Sequence, residues 1–378
     1  MFHEIDCKFH EYFVRDNPKE GLKQVFMYVI NKCNLDCPQC IYKPDNLFTI
    51  GDREIPFETA KRLLSDFYEM GARKLTLLGG EPTLYGSESG NLHSVCDLVA
   101  EAKKLGYEYV RMDTNGVFEP HVLDDDKLKQ IDEISFSIDG YDSVTNDVIR
   151  GEGSFVKATK NIEKAIGLGY TVDITCCIHD NLLDEADDGE FVLEKFIYLA
   201  EKMKINRVNF HALVKDGTQI DTWTGDLQVS VEKWLKAYKK ITENIKNGKY
   251  KKGNHEVKIR IPETFIRKEQ FMSNPGYCGF CPAKLGERVL VHPNGVIRIC
   301  SGLLCTAYCI ADYHDNKIVW NDRMTNELRD HKLYELTPCT NRSKKDFGEY
   351  YPLCFSFKSG QDEYVYKELL NWDENNDK

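Results

Sequence analysis

No apolar run in this 378-residue chain is long enough to cross a bilayer. The opening stretch MFHEIDCKFHEY alternates charge and aromatics, without the basic-then-apolar order of a secretion signal. Both absences predict a soluble, cytoplasmic protein. A basic surplus is missing too: 50 Lys and Arg stand against 61 Asp and Glu, a formal charge of -11. That balance argues against a general attraction to nucleic acid or to an anionic membrane surface. The third absence is a fourth ligand. NKCNLDCPQCIY supplies Cys33, Cys37 and Cys40, but the next cysteine is Cys96 and the next histidine His93, so a closed structural zinc site lacks a local member.

Cysteine itself is plentiful. Fourteen thiols in a cytoplasmic chain do not predict a disulfide scaffold, because the reducing pool keeps them free. Metal or iron-sulfur chemistry is the leading explanation. One group stands near residue 35, and seven cysteines fall between Cys278 and Cys354, whereas Cys7, Cys96 and Cys176 read as small buried hydrophobes.

Between residues 25 and 213, short apolar runs alternate with amphipathic segments, the pattern of a parallel α/β sheet or barrel. Strands are predicted at VFMYVIN, KLTLLGG, YVRMDTNG, EISFSIDG, TVDITCCI and RVNFHAL, with helices between them at ETAKRLLSDFYEMG, LHSVCDLVAEAKKLG, VKATKNIEKAIGLG and FVLEKFIYLAEKMK. Neighbouring side chains on a strand point to opposite faces. Val110 and Met112 therefore oppose Arg111 and Asp113; Ile134, Phe136 and Ile138 oppose Ser135, Ser137 and Asp139. Likewise Val172, Ile174, Cys176 and Ile178 oppose Asp173, Thr175 and Cys177, and Val208, Phe210 and Ala212 oppose Asn209 and His211. An ordinary eight-stranded barrel fills its lumen with branched apolar residues. This chain is expected to keep a polar, open lumen, as a six-stranded partial barrel holding a charged ligand would.

Beyond residue 213, KDGTQIDTWTGDLQ reads as a loop, followed by a helical stripe of Trp234, Tyr238, Ile241 and Ile245 on a lysine-rich segment. The expected organisation is a barrel over 1–215 with an N-terminal extension over 1–24, a linker and helix over 216–260, a cysteine-rich domain over 261–360 and an acidic tail over 361–378.

Three thiolates on a four-iron cluster would leave one iron with an open coordination position. Cys33-x3-Cys37-x2-Cys40 after the first strand, with Gly79-Gly80-Glu81-Pro82 ending the second, resembles the radical S-adenosylmethionine (SAM) enzymes. The resemblance covers about residues 22 to 215. It implies a [4Fe-4S] cluster whose open iron takes the amino and carboxylate groups of SAM, reductive cleavage to methionine and a 5'-deoxyadenosyl radical, and hydrogen abstraction from a substrate. It also implies an electron donor of flavodoxin or ferredoxin type. Glu81 resembles the acceptor for the SAM ammonium, Ser137 of SIDG the ribose contact, and Arg150 of NDVIRGEGSF the partner of the SAM carboxylate. The residue before the last cysteine is commonly aromatic in that family; here it is Gln39, and Tyr42 is the substitute for the adenine contact.

Cys281-x13-Gly295-x4-Cys300 resembles the opening of the SPASM and twitch domains, and Asn294-Gly295 is a strong hairpin signal between the two cysteines. The dense cysteine run of a full SPASM domain is missing, which implies a twitch-like domain with one auxiliary [4Fe-4S] cluster on Cys281, Cys300, Cys339 and Cys354. A zinc ribbon on Cys278, Cys281, Cys300 and Cys305 is the competing reading. The expected fold is thus α/β, a partial (βα)6 TIM-like barrel with a C-terminal twitch/SPASM-like domain.

Relatives with auxiliary clusters include maturases that crosslink, epimerise or oxidise peptides, and dehydrogenases of aminocyclitols. A peptide substrate is the first expectation and a small molecule the second. Only 32 residues precede Cys33, fewer than a leader-peptide-binding domain needs, which weighs against the peptide. An RNA-modifying enzyme would want a basic face, found here only around Lys239 to Lys252, and a non-catalytic metal scaffold leaves Glu81 and the polar lumen unexplained. Cys177, on the lumen face near the mouth, is a candidate hydrogen-atom donor, with a plain pocket-lining residue as the alternative.

Overall fold

The structure, a computed structural model, describes residues 21–40, 53–87, 92–186, 189–213, 227–251, 255–269, 286–300, 309–322 and 347–352. All six expected barrel strands are present: β1 (Gln24–Ile30), β2 (Lys74–Gly79), β3 (Tyr109–Thr114), β4 (Glu133–Ser137), β5 (Val172–Ile178) and β6 (Arg207–Ala212). They pair in sequence order, each parallel to the next. The helices between them are α1 (Phe57–Glu69), α2 (Val95–Leu105), α3 (Ser143–Arg150), α4 (Ser154–Gly167) and α5 (Val192–Lys202), and α6 (Val231–Lys246) follows β6. Local signals set their ends. Ser94 and Asp97 form a capping box on α2, which stops at Gly106 in the left-handed region.

The sheet runs past the predicted barrel. A short β7 (Lys258–Arg260) adds in parallel to β6, and β9 (Arg288–Val291) adds in parallel to β1 at the opposite edge. The Asn294-Gly295 turn then returns the chain as β10 (Val296–Arg298), followed antiparallel by β11 (Ala311–His314) and β12 (Lys317–Trp320). The result is one 11-stranded sheet, so the first hairpin of the cysteine-rich region is a continuation of the barrel wall. A separate pair, β8 (Phe265–Arg267) with β13 (Tyr350–Pro352), lies outside it.

Strand parity divides the faces as expected. Val25, Met27, Leu75, Leu77, Val110, Met112, Ile134, Phe136, Ile174, Cys176 and Val208 belong to the apolar core beneath the helices. The opposite face is two-sided. Along β1, β2 and β9 it is apolar, where Tyr28, Leu78 and Leu290 cluster with Phe26. Along β3 to β6 it is charged.

That charged half departs from the open lumen expected. Arg111 pairs with Asp113 (Nε to Oδ1, 2.5 Å) and Glu133 (Nη1 to Oε1, 2.8 Å). Arg207 donates from Nη2 to Glu133 (2.9 Å) and from Nε to Asp173 (2.6 Å), Asn206 donates to Asp173 (2.9 Å), and the Tyr109 hydroxyl donates to Glu133 (2.6 Å). Tyr109, Arg111, Glu133, Asp173 and Arg207 sit on the N-terminal halves of their strands, where buried carboxylates and guanidiniums must be matched nearby. Burial and the adjacent Glu133 charge push Asp173 upward, while Arg111 and Arg207 hold Glu133 low against its own burial.

Replacing Arg207 by Met would strand Asp173 and half of Glu133 as unmatched buried charge. The expected loss is about 3–5 kcal/mol, read as a lower midpoint in anaerobic urea unfolding. A variant as stable as the wild type would show that water, and not Arg207, satisfies the two carboxylates.

Candidate active site

The three-cysteine loop leaves β1 at its C-terminal end, and Cys33, Cys37 and Cys40 are all half-buried free thiols. Backbone and side-chain N–H groups point at the first of them: Leu35 N lies 3.5 Å and Asn115 Nδ2 3.6 Å from Cys33 Sγ. Burial pushes the Cys37 thiol up to about 12 against the opposing pull of Arg150, with Cys40 and Cys33 adding to the rise. Burial likewise raises Cys33, countered by the Leu35 N–H. Such thiols ionise when a cationic centre takes their place among the charges.

Among the described residues no three His, Cys, Asp or Glu side chains converge to hold a single metal ion. A four-iron cluster asks something different, since each cysteine binds its own iron and the thiols surround a cube. Three half-buried thiols on one loop, with N–H donors toward sulfur, fit that donor set.

The Gly79-Gly80 turn is pressed against the same loop. A Cβ on Gly80 would come within 2.1 Å of the Lys32 carbonyl oxygen, and one on Gly79, whose φ is +148°, within 2.2 Å of the Ile30 carbonyl oxygen. Glycine is required because β1 and β2 end in backbone contact here, with Gly80 N donating to Ile30 O and Glu81 N to Lys32 O. Pro82 opens the following single turn and is buried.

Glu81, expected at the SAM ammonium, is bound by protein donors in this structure. It is fully buried, and its carboxylate accepts from Thr83 N (3.1 Å), Thr83 Oγ1 (2.7 Å), Thr114 Oγ1 (2.8 Å) and Asn115 N (2.8 Å). These donors turn the side chain into a brace between the ends of β2 and β3. Asn115, which no motif marked, carries the brace onward, since its amide also reaches Cys33 Sγ and Asn34 Oδ1 (2.8 Å). The only signal for it was its place just past a strand at the mouth.

On the other side of the mouth, Arg150 ends α3 with its Nε 2.7 Å from Asp139 Oδ2. Its terminal nitrogens make no hydrogen bond among the described residues. Gln39 is buried and donates from Nε2 to the same Asp139 oxygen at 3.0 Å, a role different from the aromatic contact its position usually supplies. Ser137 is half-buried at the end of β4, in register with Thr175. Cys177 stands beside His211 across β5 and β6, half-buried, and its backbone N donates to Asp139 Oδ1 at 2.6 Å. Cys33, Cys37, Cys40, the Gly79–Pro82 turn, Ser137 and Cys177 are thus at the C-terminal ends of the strands, and Arg150 reaches Asp139 there from the end of α3.

Of the four cysteines expected to hold an auxiliary cluster, one lies among the described residues. Cys300 is half-buried just past β10, whereas Tyr42, Cys281, Cys339 and Cys354 lie outside the described residues. Continuing the register of Val296 with Asp312 and Ile297 with Ala311 sets Cys309 opposite Ile299, one position from Cys300. Cys309 was not among the expected ligands; the β10–β11 pairing brings it close.

A test of the brace follows. Glu81→Gln keeps one acceptor oxygen but turns an NH2 toward groups that are themselves donors, so the thermal midpoint should fall by the equivalent of about 1–3 kcal/mol. SAM affinity of the folded fraction should change little. A large loss of SAM affinity at unchanged stability would restore the direct ligand role.

Comparison with known proteins agrees with this geometry. Residues 27–192 match the radical SAM superfamily. The chain is similar to a GTP 3',8-cyclase of Clostridium perfringens (strain SM101 / Type A), 26% identical over 313 residues that cover 81% of this chain and 85% of the relative. Among solved structures it resembles anSMEcpe with bound AdoMet (TM-score 0.57, 16% identity, 94% of this chain and 99% of that one). It also resembles Streptococcus suis SuiB bound to its precursor peptide SuiA (TM-score 0.56, 17% identity), covering 83% of this chain but 66% of SuiB. The cysteine loop, the GGEP turn on a partial barrel and the match across β1 to β5 lead to one assignment: residues 27–192 are a radical SAM domain, a kind of domain that works with a [4Fe-4S] cluster and SAM.

Proposed function

We propose that the chain cleaves SAM reductively at the barrel mouth and abstracts a hydrogen atom from a peptide, leading to a crosslinked, epimerised or oxidised residue. The observation that carries the SAM site is a loop of three half-buried thiols whose Cys37 lies near Arg150, an arginine whose terminal nitrogens make no hydrogen bond among the described residues. Cys33, Cys37 and Cys40 would hold the cluster. Arg150 would take the SAM carboxylate as a fork, Ser137 would face the ribose, and Tyr42 is the proposed adenine contact. The backbone of the Gly79–Glu81 turn would meet the SAM amine in place of the engaged Glu81 carboxylate. When bound, cluster and SAM supply the radical that removes the substrate hydrogen, and a flavodoxin or ferredoxin-type donor supplies the electron. The protein's own part is to hold these groups and keep water from them.

Two findings support a peptide: SuiB resembles this chain in fold and was solved with its precursor peptide, and anSMEcpe, also solved with a peptide, matches it over nearly its whole length. A small-molecule substrate is the second reading, favoured by the likeness to a GTP 3',8-cyclase over four-fifths of the chain. Incubation with GTP or with candidate peptides, followed by mass spectrometry, separates the two.

We also propose one auxiliary cluster on Cys281, Cys300, Cys339 and Cys354 in a twitch-like domain, with Cys309 as the neighbour that could replace one of them. The reconstituted protein should then hold about eight irons per chain, falling to about four when Cys281 and Cys300 are both replaced. SAM cleavage to 5'-deoxyadenosine should vanish in each of Cys33→Ala, Cys37→Ala and Cys40→Ala while the fold persists. Full cleavage in any one would defeat the assignment of the loop, and stoichiometric zinc would replace the auxiliary cluster with a ribbon.

Cys177 is proposed as the hydrogen-atom donor that quenches the substrate radical in a redox-neutral outcome. Burial raises its thiol well above the usual range, so it stays protonated, and Asp139 fixes its backbone at the mouth. Giving up a hydrogen atom leaves a thiyl, which one electron from the same donor and one proton restore. Cys177→Ala should still produce 5'-deoxyadenosine but lose solvent-deuterium uptake into product. Unchanged uptake would remove the donor role and favour an oxidative outcome.

A further inference from the structure

Asp139 belongs to no expected site, yet three parts of the active-site mouth meet on it. Its side chain is fully buried, in the turn that follows β4. Oδ2 accepts from Gln39 Nε2 at 3.0 Å and lies 2.7 Å from Arg150 Nε, while Oδ1 accepts from Cys177 N at 2.6 Å. The turn is itself fixed from behind. Asp139 N donates to Asn146 Oδ1 (2.9 Å), whose amide donates to Ser154 Oγ (2.9 Å), and the next residue, Asp147, accepts from Gly153 N (2.7 Å) and Phe155 N (2.9 Å). A carboxylate held this firmly has little freedom to follow a ligand. It can dictate where its partners sit.

We infer that Asp139 is a positioning residue that sets the SAM-carboxylate arginine and the cluster loop with one side chain. This rests on the reading of Arg150 as the carboxylate ligand. A guanidinium recognises a carboxylate through two parallel N–H groups in a plane. With Nε turned inward onto Asp139, the two terminal nitrogens are the ones left to face the mouth. The same oxygen holds Gln39, the residue immediately before Cys40, so a displacement of the guanidinium and a displacement of the cluster loop are coupled through it. Gln39 replaces the aromatic residue common at that position, and in this chain the replacement supplies the N–H that closes the link.

The sign of the effect distinguishes positioning from simple charge balance. An anion beside Arg150 weakens the pull of the guanidinium on SAM's carboxylate, so a purely electrostatic role predicts tighter SAM binding in Asp139→Asn. Positioning predicts weaker binding, by about 10- to 100-fold, as when an outer partner of a metal ligand is removed. The experiment uses the anaerobically reconstituted holoenzyme with SAM as the probe. It measures SAM affinity by equilibrium dialysis and the change that SAM causes in the paramagnetic spectrum of the reduced cluster, with iron content and thermal midpoint as checks on folding.

Asp139→Asn at wild-type iron content should lose affinity and blunt the spectral change; equal or tighter binding overturns the inference. Gln39→Leu leaves Asp139 and Arg150 in place and removes the Gln39 N–H that joins Asp139 to the loop. It should alter the SAM-induced spectrum with a smaller loss of affinity, and it decides the matter if Asp139→Asn does not fold, an unaltered spectrum counting against the coupling. Arg150→Met tests the underlying reading. If it binds SAM normally, that reading fails and takes the inference with it. If it loses SAM while Asp139→Asn does not, the inference alone fails.

Discussion

Charge buried inside the half-barrel has to be matched there, and the rest of the site follows from how this is done. At the lower end, Glu133 and Asp173 share Arg207 while Arg111 closes the set with Asp113. Matched in this way, the charges become a floor: a largely buried, mutually paired layer joining β3, β4, β5 and β6. One layer up the pairing is incomplete. Asp139 meets only the Nε of Arg150, so a single guanidinium near the mouth keeps hydrogen-bonding capacity for something outside the fold. The contrast between a fully paired floor and a mouth with pairing capacity to spare points to the same end of the sheet as the motifs do. It also explains why the polar face predicted from parity is not an open channel.

Much of this was legible in the chain. The six strands and the helices after β1, β2, β4 and β5 could be read because each buries one face, and period-two or helical spacing survives in the letters. The cysteine loop and the GGEP turn could be read because their chemistry is local. Helix α3 was missed, since SVTNDVIR is short and shows one buried aliphatic, Ile149. Asp139 was seen to face the lumen, but its partners Gln39, Cys177 and Arg150 are 100, 38 and 11 positions away. No window of sequence contains that arrangement. Glu81 shows the complementary limit: a local motif suggested a ligand's role, but its bonds to Thr83, Thr114 and Asn115, which brace the ends of β2 and β3, could not be read from the letters.

The hairpin after Glu287 shows the same division. Asn294-Gly295 announced a turn, and Gly295 adopts a φ of +83°, as such a turn requires. That β9 would align in parallel with β1 was not announced, because register between distant strands depends on packing: here Tyr28 with Leu78, Leu290 and Phe26. The pairing has a chemical consequence. It ties the wall carrying Cys300 and Cys309 to the strand that leads into Cys33, so the cysteine-rich region and the cluster loop share one sheet.

A substrate approaching this mouth meets two unlike walls. Tyr28, stacked on His292 at 4.5 Å, continues the apolar half formed by β1, β2 and β9. Facing it are Ser137, Cys177 and His211 on the polar half. An aliphatic carbon carried by a polar backbone or ring could lay its apolar side on the first wall and its hydrogen-bonding groups on the second. That arrangement suits a peptide side chain flanked by amides and a sugar equally.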